Sequence, residues 1–258
     1  KQGETARGLY ADARAMLQRI IDEKWLQAKA SIGIFPAAAD GDDVVLYSDD
    51  ARTEPLQRLN FLRQQRAKAS GRHNRCLADY VAPAESGLAD HVGLFAVTAG
   101  LGIEEQLAGF EATHDDYSAI MLKALADRLA EALAEYAHRL VRKELWGYDA
   151  DEALDNEALI AERYRGIRPA PGYPACPDHT EKQKLWELLD VEAGIGLRLT
   201  ESFAMYPTAA VSGFYLSHPD ARYFAVGKID RDQLESYATR KGASIAEAEK
   251  WLAPNLGY

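Results

Sequence analysis

The sequence has little of several features that would define its class at once. It contains two cysteines, Cys76 and Cys176, and it has no apolar run long enough to cross a bilayer. Lys and Arg number 30 against 40 Asp and Glu, so the basic excess typical of nucleic-acid-binding domains is missing. We therefore expect a protein of the reducing cytoplasm with neither a membrane nor a nucleic-acid partner.

Domain boundaries are equally hard to find in the 258 residues. Gly/Ser linkers, low-complexity tracts and internal repeats are all missing. A hydrophobic content of 47% and a mean hydropathy of −0.32 allow a substantial core. The length fits one large domain or two small ones, and the missing boundary signals favour a single domain over residues 1–258.

Hydrophobic periodicity predicts a mixture of helices and strands. The clearest element is a long helix from Met121 through Leu140, and a helical spacing also runs from Leu9 to Ile21. Further helices are predicted from Thr53 to about Lys68 and after capping patterns at Thr180/Gln183, Asp230/Gln233 and Ser244/Glu247. Strands are predicted at 31–36, 44–47, 76–81, 91–98, 202–206, 209–216 and 223–229. Short turns at 40–43 and 217–220 favour an α+β fold whose central, mainly antiparallel sheet is flanked by helices.

The most informative stretch of the chain is RPAPGYPACPDHTEK, which runs from Arg168 to Lys182. Its four prolines hold φ at about −65° and exclude a helix, so an extended and rigid loop is expected. Gly172 supplies a freely turning position and lets a ligand approach the backbone. The loop is either a structural connector or a preformed ligand site, which would lose little entropy on binding.

Cys176, Asp178 and His179 raise the hypothesis of a metal or nucleophile site in the same loop. Adjacent residues rarely converge on one ion, and the other histidines are scattered along the chain. We therefore expect no metal and no catalytic residue, while an independent metal hydrolase built on Cys176 and His179 stays as the least favoured hypothesis.

Two acids share one face of the predicted long helix. Asp127 and Glu131 are four residues apart, and they lie opposite the apolar stripe of Leu125, Leu129 and Leu133. The face is either an ordinary solvated surface or the border of a ligand site, where a carboxylate would stabilise a sulfonium or ammonium group.

The pattern Arg-x-x-x-Gly-Tyr-Pro, formed by Arg168 and residues 172–174, resembles the signature of a known family. That family is the S-adenosylmethionine-binding reactivation domain at the C-terminus of cobalamin-dependent methionine synthase. Similar blocks follow in the family's order at 76–83, 114–117, 123–132, 199–205, 211–213 and 251–258. The resemblance implies a C-terminal module of a larger protein. It also implies that the chain begins after an Asp-Trp segment that supplies an acidic ligand contact in the family.

The resemblance gives roles to residues of the proline-rich loop. A planar guanidinium pairs with a carboxylate at two points, so Arg168 is expected to bind the methionyl carboxylate of S-adenosylmethionine. The backbone of Ala170 and Gly172 is expected to bind the adenine edge. Tyr173 offers a ring that packs on the ligand, although a core tyrosine is the alternative.

Four further residues receive roles outside this loop. Tyr223 and Phe224 match the family's ligand-binding segment, and adjacent strand residues point to opposite faces. We therefore expect Tyr223 to contribute its side chain and Phe224 mainly its backbone. Glu131 matches the family's ligand-contacting glutamate, and Asp127 is expected at the interface with the cobalamin-bearing partner.

The implied function is reactivation of a methyltransferase in methionine biosynthesis. Cobalamin would be held by a separate module of the same polypeptide, and flavodoxin or an equivalent reductase would supply an electron. The chain would hold S-adenosylmethionine for methyl transfer to the reduced cobalamin and would have no turnover alone. The alternative is a stand-alone S-adenosylmethionine-binding regulator without cobalamin chemistry.

Overall fold

The computed structural model describes residues 2–258 and shows an α+β fold. Its strands are β1 Gln27–Asp40, β2 Asp43–Tyr47, β3 Pro55–Asn60, β4 Asp90–Leu101, β5 Arg198–Leu199, β6 Met205–Tyr206 and β7 Ala210–Tyr215. Its helices are α1 Gln2–Asp22, α2 Ile103–Ala112, α3 Asp116–Leu140, α4 Asn156–Ile160, α5 Glu181–Leu189, α6 Val191–Ile195, α7 Arg231–Lys241 and α8 Ile245–Leu252. A π-helical turn, Val141–Leu145, continues α3. None of the described helices is both long and apolar enough to span a membrane.

Within the described residues, five strands form the main sheet in the order β3-β2-β1-β4-β7. The predicted first hairpin is confirmed, because β1 and β2 pair antiparallel from Ala37 opposite Leu46 to Asp40 opposite Asp43. Gly41 turns this hairpin with a φ of 62°. β2 and β3 also pair antiparallel, and β5 and β6 form a separate two-stranded ribbon. The predicted fold class, with a mainly antiparallel sheet and helices, is confirmed.

Contacts group the chain into two compact units, and the prediction of a single domain stays a prediction. The first unit comprises the chain up to Ser31 together with Ala96–Ala137 and Asp190–Val211. In its core the rings of Trp25 and Phe110 meet edge to face, with centroids 6.1 Å apart. The other buried members of this core are Met16, Ile20, Ala99, Ile103, Leu107, Ala119, Met121, Leu122, Ala126, Ala130 and Ala209.

Helix α3 confirms the long helix that the periodicity predicts. It starts at Asp116, before the predicted Met121, and the Asp115 carboxylate accepts a hydrogen bond of 3.0 Å from the Ser118 amide. Leu125, Leu129 and Leu133 are half-buried, whereas the buried positions of the helix are Ala119, Met121, Leu122, Ala126, Ala130, Ala134, Ala137 and His138. The most buried row of the helix is therefore mostly alanine, because small side chains allow close packing.

The second unit comprises Ile32–Phe95, His138–Leu189 and Ser212–Tyr258. One core cluster in it joins α7 and α8 to the preceding segment, and its buried members are Leu62, Val226, Ile229, Leu234, Tyr237, Ala238, Ala248 and Leu252. Ser244 caps α8 as predicted, since its hydroxyl accepts from the Glu247 amide at 3.2 Å. Gln233 does not complete a capping box with Asp230; its side chain instead exchanges hydrogen bonds of 2.7 and 2.8 Å with the Arg63 backbone.

Two elements predicted in the first third of the chain are wrong. The predicted helix from Thr53 to Lys68 is replaced by β3 and an irregular segment. Asp49 accepts hydrogen bonds from the amide and hydroxyl of Thr53. These bonds close a turn after β2, so that the following residues can pair with β2 as strand β3. The predicted strand at 76–81 is a 3-10 helix, Leu77–Tyr80, because the Asp79 carboxylate bonds the Cys76 amide at 2.8 Å.

The predicted strand at 223–229, and the hairpin it would form, are also wrong. This segment is irregular, and its backbone bonds outside any sheet: Val226 donates to the Pro174 carbonyl at 2.8 Å, and the Gln64 side chain donates to the Ala225 carbonyl at 2.8 Å. Only Ile229 makes a bridge, to Leu256. The strand predicted at 202–206 is reduced to β6.

Candidate functional site

The proline-rich loop is attached to β7 at its start. Ile167 and Leu216 exchange two backbone hydrogen bonds of 3.0 Å, and the Phe214 amide donates to the Pro169 carbonyl at 2.9 Å. This close approach requires Gly213, because a Cβ there would lie 2.4 Å from the Pro169 oxygen. Arg168 therefore stands between two fixed backbone positions.

The middle of the loop is a tight turn. Gly172 has a φ of +91°, and its amide donates to the Cys176 carbonyl at 2.7 Å. The Tyr173 amide donates to the Ala170 carbonyl at 3.2 Å, and the Cys176 amide donates back to Tyr173 at 2.9 Å. A Cβ at Gly172 would lie 2.3 Å from the His179 ring, so glycine is required by both conformation and space.

This turn leaves one backbone donor and one backbone acceptor unused. Within residues 2–258, the Ala170 amide and the Gly172 carbonyl have no hydrogen-bond partner, and both residues are half-buried. The two groups are separated by Pro171, which has no N–H of its own. The loop thus offers a fixed donor and acceptor pair to a ligand.

Arg168 and Tyr223, which are both predicted site residues, are brought together by the structure. The Arg168 amide donates to the Tyr223 hydroxyl at 3.1 Å, and its guanidinium Nη1 donates to the Tyr164 hydroxyl at 2.7 Å. Arg168 is half-buried and Tyr223 is 42% exposed, whereas Tyr164 is buried. The guanidinium is therefore oriented by a buried side chain while part of it remains accessible.

A buried group of side chains packs against Tyr164, and it was not predicted from the sequence. Arg142 and Glu152 form a two-point ion pair, with N–O distances of 2.5 and 3.0 Å, and the Arg142 guanidinium carbon lies 4.1 Å from the centre of the Tyr164 ring. The His138 ring contacts Tyr164 edge to face and stacks on Tyr215, each at 4.9 Å. The sequence signal for this group was that His138 and Arg142 lie four residues apart at the end of the long helix, where buried polar side chains need partners.

Burial controls the protonation of His138. The ring is fully buried, and this burial lowers the pKa of His138 well below 6.5, with a further lowering by the charges of Arg142 and Arg168. The imidazole is therefore neutral at pH 7. It packs against Tyr164 without adding a third positive charge.

The other end of the loop is held by a buried ionic network. Asp178 accepts hydrogen bonds from Tyr237 at 2.7 Å and from Lys241 at 2.9 Å. Burial raises the pKa of Asp178, but Lys241 and the hydrogen bonds outweigh it, and the net effect lowers the pKa. Glu181, the first residue of α5, is fully buried and accepts from Lys184 at 2.8 Å and also from Lys241.

The start of α5 is confirmed, although its predicted capping box is not formed. The Thr180 hydroxyl donates to Asp178 at 2.7 Å, and the Gln183 side chain donates to Glu187 at 2.9 Å. The helix is therefore positioned by the ionic network at Glu181 and Asp178 rather than by a reciprocal cap.

The surroundings of Cys176 and His179 differ from those of a metal or nucleophile site. Burial, reinforced by Glu181 and Asp178, raises the pKa of Cys176 far above its ordinary value, so the thiol stays protonated. His179 is paired through Nδ1 with Lys182 at 2.8 Å. In the part of the chain that the structure describes, no three His, Cys, Asp or Glu residues are arranged to hold a metal ion.

The remaining predicted residues differ in exposure. Tyr173 is 65% exposed, and Phe224 is half-buried against the core cluster of α7 and α8. Asp127 and Glu131 are both exposed on α3 in the first unit. Their part in binding a ligand or a partner stays a prediction, as does the division of roles between Tyr223 and Phe224.

Comparison with known proteins gives two findings. A family model described as the activation domain of vitamin B12 dependent methionine synthase matches residues 1–242. The chain is also similar to a solved structure, the MetH reactivation domain bound to AdoHcy, with 57% sequence identity and a TM-score of 0.97. This similarity covers 99% of the present chain and 78% of the other.

Proposed function

Because the chain belongs to the activation-domain family of vitamin B12-dependent methionine synthase, we propose that it binds S-adenosylmethionine and holds its methyl group for transfer. The reaction served is reductive methylation of cob(II)alamin, in which one electron from flavodoxin or an equivalent reductase and the methyl group of S-adenosylmethionine restore the cofactor. The sulfonium leaves as the neutral thioether S-adenosylhomocysteine. The cobalamin belongs to another module of the same polypeptide.

The observation that carries this proposal is the unused donor and acceptor pair in the loop. The adenine edge presents an acceptor at N1 and a donor at the N6 amine. These groups complement the Ala170 amide and the Gly172 carbonyl, which have no other partner among the described residues. A backbone held by four prolines keeps this pair in place before the ligand arrives, which favours affinity.

Arg168 complements the other end of the same ligand. Its Nη1 is directed by the Tyr164 hydroxyl, and the planar fork of the guanidinium suits two-point pairing with the methionyl carboxylate. Tyr173 is exposed on the same loop, and Tyr223 is exposed beside Arg168, whose amide donates to its hydroxyl. They supply packing surface for the adenosyl group.

The binding state of a relative supports the ligand class. The similar reactivation domain is bound to AdoHcy, which is S-adenosylmethionine after loss of its methyl group. The chain's own contribution is proximity: it fixes the donor methyl group and makes the encounter with the cobalamin module effectively intramolecular.

We also propose that the isolated chain transfers no methyl group to free acceptors. Cys176 is buried and its raised pKa keeps it as a thiol, and His179 is occupied by Lys182. The loop therefore contains neither an activated nucleophile nor a base directed at a substrate. Turnover of a thiol or amine acceptor without cobalamin would contradict this.

A pair of ligands tests the adenine assignment without any mutation. S-inosylhomocysteine carries an acceptor at C6 and a donor at N1, which reverses the adenine pattern. Calorimetric titration should show tight binding of S-adenosylhomocysteine and a loss of about tenfold or more for the inosyl compound, because two hydrogen bonds become mismatched. Equal affinities would contradict the assignment of adenine binding to Ala170 and Gly172. No binding of either compound would contradict the proposed function.

A further inference from the structure

A cavity lined by none of the residues of the proposed ligand site has a volume of about 880 Å³. It lies in the second unit, between the segment 64–75 and Arg222. Its lining contains five cationic side chains, which are Arg66, Lys68, Arg72, Arg75 and Arg222. The chain as a whole carries a net charge of −10, so the cavity has the opposite sign to the molecule.

The charges of this basic cavity are not compensated by the protein. In the described residues, none of the five cations forms an ion pair with a carboxylate. Lys68 donates only to neutral groups, the Gln64 side chain at 2.5 Å and the His73 carbonyl at 2.8 Å. Desolvation, together with the charges of Arg75, Arg66 and Arg72, lowers the pKa of Lys68. An anionic ligand would relieve this repulsion.

The basic cavity has a fixed wall. Gln64 is buried. Its backbone N–H donates to the Arg75 carbonyl at 3.0 Å, and its side-chain oxygen accepts from the Arg75 backbone N–H at 3.2 Å. Its side-chain nitrogen bonds the Ala225 carbonyl at 2.8 Å. Gln64 therefore closes the segment 64–75 into a loop and joins it to the segment that carries Arg222. The Arg66 guanidinium lies against Gly227, where a Cβ would approach Nη2 to 3.2 Å.

From this geometry we propose that the basic cavity binds a ligand with two or more linked phosphates. The volume is in the range of small-molecule sites, and five cations exceed what a single phosphate needs. Arginine is the residue best suited to two-point phosphate binding, and four of the five cations are arginines. The lining has no aromatic residue except His73, so it recognises phosphates rather than a stacked base. Inorganic polyphosphate and the phosphate tail of a nucleotide share this chemistry.

Titration calorimetry at 0.15 M salt, with pyrophosphate, ADP and inorganic phosphate as probes, tests the proposal. We expect pyrophosphate and ADP to bind, phosphate to bind at least about tenfold more weakly, and both affinities to fall as salt is raised. Tighter binding of ADP would assign a nucleotide, and equal binding would assign a free polyphosphate. No binding of pyrophosphate or ADP would overturn the proposal and would indicate that the basic cavity contacts an acidic protein surface instead. Equal binding of phosphate and pyrophosphate would overturn it as well.

Matched charge variants locate the binding. Arg72 is exposed, so Arg72→Gln should fold normally and weaken pyrophosphate binding by about tenfold, the loss of one charge-assisted hydrogen bond. Arg7→Gln removes the same charge from exposed α1 and should leave the affinity unchanged. An Arg72→Gln variant that unfolds at the wild-type temperature and binds like wild type would overturn the assignment. This test does not depend on S-adenosylmethionine binding.

Discussion

The two ends of the proline-rich loop use buried charge in opposite ways. At the lysine end, defined as Asp178 and Glu181 with Lys184 and Lys241, the loop and α5 supply carboxylates, and the cations are enclosed with them. At the arginine end, the loop supplies the cation. Arg168 is half-buried there and donates to a neutral hydroxyl. The difference indicates that buried carboxylates paired with lysines hold the loop, whereas a half-buried and oriented guanidinium is suited to meet a ligand.

The largest effect should come from breaking the lysine end. Glu181→Ala removes a fully buried carboxylate and leaves the half-buried Lys184 and Lys241 without that partner, so the free energy of unfolding should fall by about 3–5 kcal/mol. Urea denaturation measures this change. Glu187→Ala, on an exposed position of the same helix, should stay within about 0.5 kcal/mol of wild type. Similar small losses for both variants would show that the lysine end does not hold the loop.

Removing the cation of the arginine end should affect binding more than stability. Arg168→Ala should weaken S-adenosylmethionine binding by about 1.5–3 kcal/mol, the range for hydrogen bonds to a charged group. Calorimetric titration measures this loss, and Arg163→Ala, an exposed arginine five residues earlier, is the matched control. Unchanged affinity in Arg168→Ala would contradict the carboxylate assignment.

A smaller change tests whether Tyr164 positions Arg168. Tyr164→Phe removes the hydroxyl that accepts from Nη1 and keeps the ring beside Arg142 and His138. Binding of S-adenosylmethionine should weaken by about 0.5–1.5 kcal/mol, the net value of one hydrogen bond. An analogue without the carboxylate should bind wild type and Tyr164→Phe equally. A loss that is the same for both ligands would indicate a general structural defect.

The pH dependence of stability tests the support beneath the arginine end. Burial lowers the pKa of His138, so the unfolded imidazole takes up a proton below about pH 6.5 and the folded one does not. The contribution of the neutral His138 to the free energy of unfolding should therefore be complete above that pH. It should be lost as the pH drops toward the pKa that His138 has in the folded protein. His138→Gln should flatten this slope between pH 7.5 and about 5.5. His179→Gln, at an exposed position whose pKa is also lowered, should flatten it less.

The smallest effects are expected on α3. Glu131→Gln should weaken S-adenosylmethionine binding by about two- to fivefold, as for an exposed charge pair, and Asp127→Asn should leave it unchanged. Asp127→Asn should instead slow reductive methylation when the cobalamin module is present. Reactivation kinetics and calorimetry separate the two roles. Negligible effects of both substitutions would identify an ordinary solvated helix face.

Sequence reasoning predicted the elements whose cause is local. α3 and the first hairpin have clear periodicity and turn residues, so they were found. The segment at 53–68 was mistaken because its pairing with the preceding strand β2 outweighs its own apolar spacing. The segment at 223–229 was mistaken because a distant contact decides it: the Gln64 side chain donates to the Ala225 carbonyl across 161 residues of sequence. Such pairings leave no periodic signal in the segment itself.

The candidate site divides in the same way. The prolines and Gly172 define the loop, and Arg168 and Tyr223 meet as neighbours. Tyr164 and the Arg142–Glu152 pair were not predicted, because their importance comes from partners and burial rather than from a motif. A buried arginine is recognisable only when its carboxylate is seen beside it.

The attachment of the loop to β7 has a consequence for how the chain can change in length. Ile167 and Pro169 are bonded to Leu216 and Phe214 on either side of Arg168, so the pairing with β7 sets where the guanidinium emerges. One inserted or deleted residue would move it by about 3.3 Å and turn it to the opposite face. Natural variants should therefore accept insertions in the exposed segment around Gly87, but exclude them from 167–169 and from 213–216.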